Sequence, residues 1–509
     1  MENPGMKRTV LTTAVLLISL FTISTFVTVP SARAGQAPGS SASPDIPVSH
    51  HDRVYTADQF SNTVTVTDPV DNKLLGVIRL GGPTIPSDLS PLYGTGGKQI
   101  LVHGMLFSPD HRTLVVISVA SNAIAFIDTA TNAVKHITYV GRSPHEAAFT
   151  QDGKEVWVSV RGENYISVLD GTTYKEKSHI IVPNGPGMTI FSPDGKYGYV
   201  CSSFTPETVV ISVANHTIVG RVPQASPFCP NIAATPDGKQ VWFTLKDIGN
   251  TEVFDAQPPF SVLKIIDTGP ITNHVNIVHN SKGTFAYVSL GGLNEVQVFR
   301  TDNFAKVATI PVGDLPHGIW PSGDGTRIYT ALENGGRLVA IDTLTNKVIG
   351  TSPIGQAGQA IAYVPDAVPE GNGTQGLQPL GMAGNATYLS LLPLVHGKAM
   401  NVTTAPTSVA LFDQGLVDVL QAAVTGLQPN HPYVLALSRN ADGSGPLVPL
   451  LAQFKTWPAG SAIVNTIGPI RQILQEGVPP RYLVIVPGTA AEHGPPVQIQ
   501  LSNGLEQPR

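Results

Sequence analysis

The chain has 509 residues, a formal net charge of −5, only 13% charged residues, and 50 glycines and 43 prolines. A weak negative charge with no long single-sign run gives no electrostatic basis for nucleic-acid binding. So much Gly and Pro argues against a helical bundle and for many short strands joined by tight turns.

In chain order, Lys7 and Arg8 precede an apolar stretch, "VLTTAVLLISLFTISTFVTV", and Ala32-Arg33-Ala34 follows it. This is the pattern of a secretory signal peptide over residues 1–34, cleaved before Gly35. The apolar stretch is also about as long as a membrane span, so a retained anchor is the alternative. Residues 35–50 read as a flexible segment. No later segment is long and apolar enough to span, so the mature protein is expected to be soluble and exported, to the periplasm, the cell surface or the medium.

From residue 51 onwards the sequence repeats. Turn residues Asp110, Asp152, Asp194, Asp237, Lys282, Asp324 and Asp366 follow one another at intervals of 42, 42, 43, 45, 42 and 42. A period of about 43 is that of a four-stranded propeller blade. Each unit runs from an apolar strand into a turn such as "SPDG", where Asp-Gly tolerates positive φ. A second strand follows ("EVWVSVR", "QVWFTLK", "RIYTALE"), then a third ("NAIAFID", "GRLVAID"), an Asx-type turn ("DTATN", "DTLTN") and a fourth strand ending near Gly.

The first unit lacks a leading strand, and "GQAIAYVPD" is a leading strand with nothing after it. Joining the two makes seven complete blades and leaves no open sheet edge. Residues 51–367 are therefore expected to form a seven-bladed β-propeller closed by a C-terminal inner strand.

The phrases "PHGIWPSGDG", "YVCSS", "NAIAFIDTATN" and "KVATIPVG" resemble YVTN repeats of exported and surface-layer propellers. Related propellers form the N-terminal half of nitrous oxide reductase. The resemblance covers roughly Val54 to Pro365 and implies the fold. Its signature residues are mostly turn and packing residues, so it implies little about activity. In nitrous oxide reductase, inner-mouth histidines hold a copper–sulfide cluster; here only His103, His145 and His317 match such positions, too few for that cluster.

Residues 368–384 are Gly/Pro-rich and read as a linker. Residues 385–509 carry alternating stretches such as "SVALFD", "YVLALS" and "RYLVIVPG" that suggest a small β-sandwich, somewhat like an immunoglobulin or fibronectin module, with one short helix around "PIRQILQ". No catalytic motif is found there, and an adhesive or spacer role is the default.

Counting back seven residues from each turn residue picks one position per blade at the start of the inner strand: His103, His145, Gly187, Pro230, Val275, His317 and Gln359. Around the ring, His317, Gln359, His103 and His145 are contiguous, so one arc of the channel mouth is expected to be lined by imidazole and amide. His274 falls one residue out of this register. Tips of second strands on the same face add Asp58, Arg161, Glu163, Lys246, Asp247 and Glu333. The insertion "GGPTIPSDLSPLYGTGGKQI" also emerges there and is a candidate lid or rim.

Three readings of the arc stand side by side. Each imidazole can be a structural peg bonded to a neighbouring carbonyl. The arc can bind a ligand through His103, His145, Arg161, Lys246, His317, Glu333 and Gln359, or work as acid and base through His103, His145 or His317 with Glu146. It can also hold one metal ion through His103, His145 and His317, although neither metal nor cofactor is expected.

Cys201 and Cys229 fall on neighbouring blades at this face. They are candidates for one disulfide in an oxidising compartment, two buried free thiols being the alternative.

The expectation is an exported, monomeric binding or scaffold protein whose partner is a protein, an envelope component or a small molecule. The alternatives are a propeller enzyme of lactonase, hydrolase or lyase type, and a metal-dependent redox accessory protein.

Overall fold

The turn aspartates of blades 2, 3, 4, 5 and 7 tie their own hairpins. Ser192 Oγ donates to Asp194 Oδ1 at 2.7 Å, and the same carboxylate oxygen accepts Lys196 N–H at 3.1 Å. Thr150 with Asp152, Thr235 with Asp237 and Ser322 with Asp324 repeat the arrangement. In blades 3, 4, 5 and 7 the next residue is a glycine at φ near +70°, which a side chain would strain. The chain therefore reverses at a fixed point in each unit, and the period becomes a ring.

The structure is a computed structural model that describes residues 1, 47–81, 101–395, 398–399, 406–415, 417–468, 470 and 481–500. The expected signal peptide, most of the segment 35–50, all but one residue of the insertion 81–100 and nearly all of the expected short helix lie outside these residues. Seven four-stranded antiparallel sheets form the propeller. Blade 1 closes as expected: Gly358–Val364 pairs with Arg53–Asp58, placing Tyr363 opposite Val54. Blades 2 to 7 begin at Val102–Phe107, Pro144–Phe149, Pro186–Phe191, Ile232–Ala234, Thr272–Asn280 and Pro316–Pro321.

Middle strands are buried on both faces, which is why they are runs of Val, Ile, Phe and Trp. Trp157 of blade 3 is fully buried and leaves no room for a side chain at Gly198 of blade 4, where a Cβ would meet its ring at 2.6 Å. Fourth strands such as Val262–Asp267 are largely exposed. Cys201 and Cys229 form a disulfide that ties blade 4 to the entry of blade 5, with Cα atoms 6.0 Å apart, inside the usual window.

The Gly/Pro-rich linker lies against the propeller. Asn132 Nδ2 donates to the carbonyls of Gly373 and Gln375, and Val77 and Gln378 exchange both backbone hydrogen bonds on the outer edge of blade 1. The strap thus runs from the hairpin-turn face, along blade 1, to the channel mouth.

There the C-terminal domain begins. It is one antiparallel sheet in the order Leu447–Lys455, Pro432–Ser438, Tyr482–Pro487, Gln498–Gln500, Ala386–Val395, Thr407–Asp413, Asp418–Val424, Ala462–Gly468, with Lys398–Ala399 paired onto Ala386–Val395. The sheet curls until it is nearly closed: Thr466 Oγ1 on its last strand donates to Leu451 O on its first, at 3.1 Å. Its halves face each other as in a sandwich, around Leu391, Leu411, Leu420, Leu435 and Ile485. Apart from the 3-10 turn Gly381–Gly384, the described residues are strands and loops, and no helix among them is long and apolar enough to cross a membrane.

Candidate ligand site at the channel mouth

The histidine positions coincide with a local irregularity of the backbone. The register of the inner strand slips between Val102 and Met105, Pro144 and Glu146, Pro186 and Met188, and Pro316 and Ile319, and blade 1 skips Gln359. Such a bulge leaves one residue out of the ladder and re-aims its side chain. His103, His145, Gly187, His317 and Gln359 are those residues. The glycine after the histidine is required by close approach: a Cβ on Gly104 would sit 2.1 Å from His145 O, and one on Gly318 2.8 Å from Gln359 O.

Blades 5 and 6 depart from the counted register. Pro230 precedes the short inner strand Ile232–Ala234 and belongs to no strand. In blade 6, Asn280 pairs with Gly283, so that hairpin is closed by Ser281 and Lys282 alone. Counting from Lys282 therefore lands on the buried core residue Val275, while the bulge falls between Thr272 and Val275 and contains Asn273 and His274.

His274 is thereby a fourth member of the cluster, its ring centroid 4.5 Å from that of His317. His103 lies 6.4 Å from His317 and 4.6 Å from His145 by the same measure. The four rings form a chain in the order His145, His103, His317, His274.

Hydrogen bonds fix two tautomers. His145 Nδ1–H donates to Gly187 O at 3.0 Å, which makes it a peg between blades 3 and 4 and leaves its Nε2 an acceptor. His103 Nε2, 3.1 Å away, must then donate to it, and His103 Nδ1 is left as a bare lone pair, buried and without a partner. Burial holds His103 down to about 3, helped by His317 and Arg161. Burial first, and neighbouring imidazoles and cations second, keep His145 and His274 well below the ordinary imidazole value. At neutral pH these rings are uncharged.

One carboxylate serves the cluster. Glu333 Oε1 is 3.0 Å from His317 Nδ1, and both side chains are almost wholly enclosed. Glu333 Oε2 accepts Gln359 Nε2 at 2.6 Å and Gln421 Nε2 at 2.9 Å. Burial pushes this carboxyl up, but His317, Lys246 and Gln359 outweigh it and bring it to about 2. Burial lowers His317 against the pull of Glu333.

Two cations complete the site. Lys246 is 7% exposed, and its side chain makes no hydrogen bond or ion pair among the described residues. Arg161 packs its guanidinium over Phe204 at 5.5 Å and Phe228 at 5.7 Å, and its Nε has no partner. Both are pushed down by burial.

His103, His145, His317, Arg161, Lys246, Glu333 and Gln359 thus come together. Glu146 stands apart, beside Gly104; among the described residues its carboxyl accepts only Ala147 N–H, at 3.3 Å, and burial raises it to about 8. Asp58 is buried among Thr63 and Thr65, Glu163 is an exposed partner of Arg142, and Asp247 accepts Ser226 Oγ. No group of three or more His, Cys, Asp or Glu among the described residues has a metal-holding arrangement.

The sequence gives no sign of the cover. Gln421, from Asp418–Val424 of the C-terminal sheet, also donates to Asn334 Oδ1 at 3.1 Å, and Asn334 Nδ2 donates to Ser408 O at 3.2 Å. Around these bonds Phe412 meets Phe60 of blade 1, Ala423 meets Ile271 and Leu315 of blades 6 and 7, and Trp457 meets Phe228 of blade 5. Gln356 Nε2 donates to Asn385 O at 2.7 Å. The described contacts of this domain at the mouth fall on blades 5, 6, 7 and 1 and on Leu101 at the entry of blade 2.

No protein family matches the chain, and no curated protein matches it. Among solved structures, it is similar to Kuenenia stuttgartiensis hydrazine synthase at 21% identity and a TM-score of 0.47, over 52% of this chain and 90% of that one. It is also similar to a functionally unknown protein from Desulfotomaculum acetoxidans at 17% identity and a TM-score of 0.50, over 61% of this chain and 98% of that one. Likeness at this level is likeness of fold, here a β-propeller.

Proposed function

We propose that this chain is an exported binding protein of the YVTN type that holds a small ligand at the channel mouth, between the propeller and the C-terminal sheet. The observation that carries this reading is unspent hydrogen-bonding capacity: Arg161 Nε and His103 Nδ1 are buried without a partner, and beside them the side chain of Lys246, 7% exposed, makes no hydrogen bond or ion pair among the described residues. A purely structural cluster satisfies its buried polar atoms, as His145 does with Gly187 O. Buried, perturbed ionisable groups that converge without pairing mark ligand sites. Export is supported by the N-terminal leader pattern and by the Cys201–Cys229 disulfide, which fits an oxidising compartment.

A second reading, a hydrolase- or lyase-type enzyme, has one observation in its favour. His317 Nδ1 and Glu333 Oε1 lie 3.0 Å apart, which places a carboxylate beside an imidazole as a general base and its orienting group require. In that case Glu333 fills the role that the sequence suggested for Glu146.

The test is the melting temperature of the full, disulfide-bonded chain across neutral sugars, amino acids, polyamines and small oxyanions. The binding reading expects a saturable rise with at least one class, lost in Lys246→Met. Flat melting curves across all four classes overturn it. Turnover of a lactone or ester panel that disappears in His317→Gln decides for the enzyme instead.

A further inference from the structure

Resting on the reading that the mouth holds a ligand, we infer that the occupant is a small oxyanion that carries an ionisable proton of its own, of the hydrogenphosphate or hydrogencarbonate type. Charge is the first argument. Lys246 is buried and Arg161 part-buried beside the imidazole chain, and the carboxylate joined to it, Glu333, is already engaged by His317, Gln359 and Gln421. One buried and one part-buried cation against one shared anion leave the site short of negative charge, and an unpaired buried charge such as that of Lys246 is costly. A neutral ligand or a water does not correct that deficit; an anion does.

Geometry is the second. The faces of Phe204 and Phe228 flank the guanidinium of Arg161, which fixes its plane and leaves its N–H edge for an acceptor. The side chain of Lys246 supplies a further donor with no acceptor among the described residues. Charge-assisted hydrogen bonds from these two groups suit oxygen anions.

The third argument concerns the proton. His103 Nδ1 is an acceptor, because the bond from its Nε2–H to His145 Nε2 uses the ring's only N–H. An anion without a proton would set its lone pairs against that nitrogen. An oxyanion bearing a hydroxyl donates to it, so the site distinguishes hydrogenphosphate or hydrogencarbonate from sulfate and chloride. A metal ion fits poorly: both nitrogens of His145 and the Nε2 of His103 are committed, and two cations stand beside the remaining lone pair.

Access is the fourth. The described contacts of the C-terminal sheet fall on blades 5, 6, 7 and 1 and on Leu101 at the entry of blade 2, whereas Arg161 lies on the blade 3 side next to Phe204, which is 53% exposed. An anion entering there meets Arg161 first and Lys246 and His103 beyond it.

Isothermal titration of the full, disulfide-bonded chain with inorganic phosphate, and separately with bicarbonate, near neutral pH tests the inference. Saturable one-to-one binding is expected for at least one of them, at least about tenfold tighter than sulfate, a difference of about 1.4 kcal/mol. Lys246→Met is expected to weaken it at least tenfold. Arg161→Gln, on the more accessible side, serves where Lys246→Met unfolds. His103→Phe is expected to abolish the preference over sulfate. Equal affinity for sulfate and phosphate, or unchanged affinity in both cation variants, overturns the assignment. A saturable melting shift with a neutral ligand but none with either oxyanion sinks the oxyanion and leaves the binding reading standing; no shift with any ligand sinks both.

Discussion

His317 Nδ1 and Glu333 Oε1 of blade 7 stand 3.0 Å apart beneath the C-terminal sheet, both buried. The opposite oxygen of the same carboxylate accepts Gln421 of that sheet at 2.9 Å. One buried group therefore holds the imidazole chain on one side and the cover on the other.

Glu333→Gln keeps the shape and removes the charge, leaving Lys246 without a nearby anion. Glu333 and Lys246 are not in direct contact but influence each other through charge, and stranding a buried charge can cost up to about 3–5 kcal/mol. Denaturant unfolding is expected to show a loss of that order, with Glu333→Gln/Lys246→Met recovering at least about 1 kcal/mol because the stranded cation is gone. A single variant within about 0.5 kcal/mol of wild type would contradict the coupling.

Stability is expected to fall on mild acidification. His103, His145 and His274 have folded-state values below the unfolded value of 6.5. Below pH 6.5 the unfolded chain binds protons that the folded chain refuses, so each ring that stays neutral lowers stability by about 1.4 kcal/mol per pH unit. Glu333, depressed from 4.5 to about 2, adds its own loss only between those values. Melting temperatures from pH 7 to 5 are expected to drop in wild type and to drop less steeply in His103→Asn; identical slopes would count against a neutral, buried His103.

Glu146 acts in the opposite sense. Its folded value is raised from 4.5 to about 8, so its contribution is intact below pH 4.5 and is lost as pH rises toward 8. Glu146→Gln supplies the uncharged form permanently. The variant is expected to be more stable than wild type at pH 8, by roughly 1–3 kcal/mol, and nearly equal to it at pH 4.5. A variant less stable than wild type at pH 8 would show that the carboxylate has a partner.

The Cys201–Cys229 bond, with a sequence separation of 28, crosses from blade 4 to blade 5 beside the site. Cys201→Ser/Cys229→Ser is expected to lose about 2–4 kcal/mol of stability, a range typical of native disulfides. A thiol count of zero on the unreduced, denatured protein is the companion expectation; two titratable thiols would contradict it.

Much of this architecture is readable in the amino-acid order because one device recurs. An aspartate that ties a hairpin sets the period, and a bulge seven residues earlier turns a side chain into the mouth, so His103, His145, His317 and Gln359 follow from arithmetic. The arithmetic fails at Val275, because the Asn280–Gly283 hairpin is shorter, and with it His274 is lost from the count. The place of Gln421 is not legible at all. It sits mid-strand in another domain, and no local pattern says which face of a sheet will dock, or that residues 368–384 will be pinned along blade 1 and deliver the sheet to this mouth. Glu333 and Lys246 were legible as charges at strand tips, but their different fates depend on neighbours far away in sequence.

The central claim is that the mouth is an enclosed chamber of neutral imidazoles. Its most direct test is an imidazole 15N titration by NMR on the full, disulfide-bonded chain from pH 8 to 5, with His103, His145, His274 and His317 assigned by single substitutions to asparagine. The rings of His103, His145 and His274 are expected to keep neutral-imidazole shifts throughout, and His317 to titrate below the ordinary imidazole value. A midpoint near pH 6.5 for His103 would contradict the enclosed chamber.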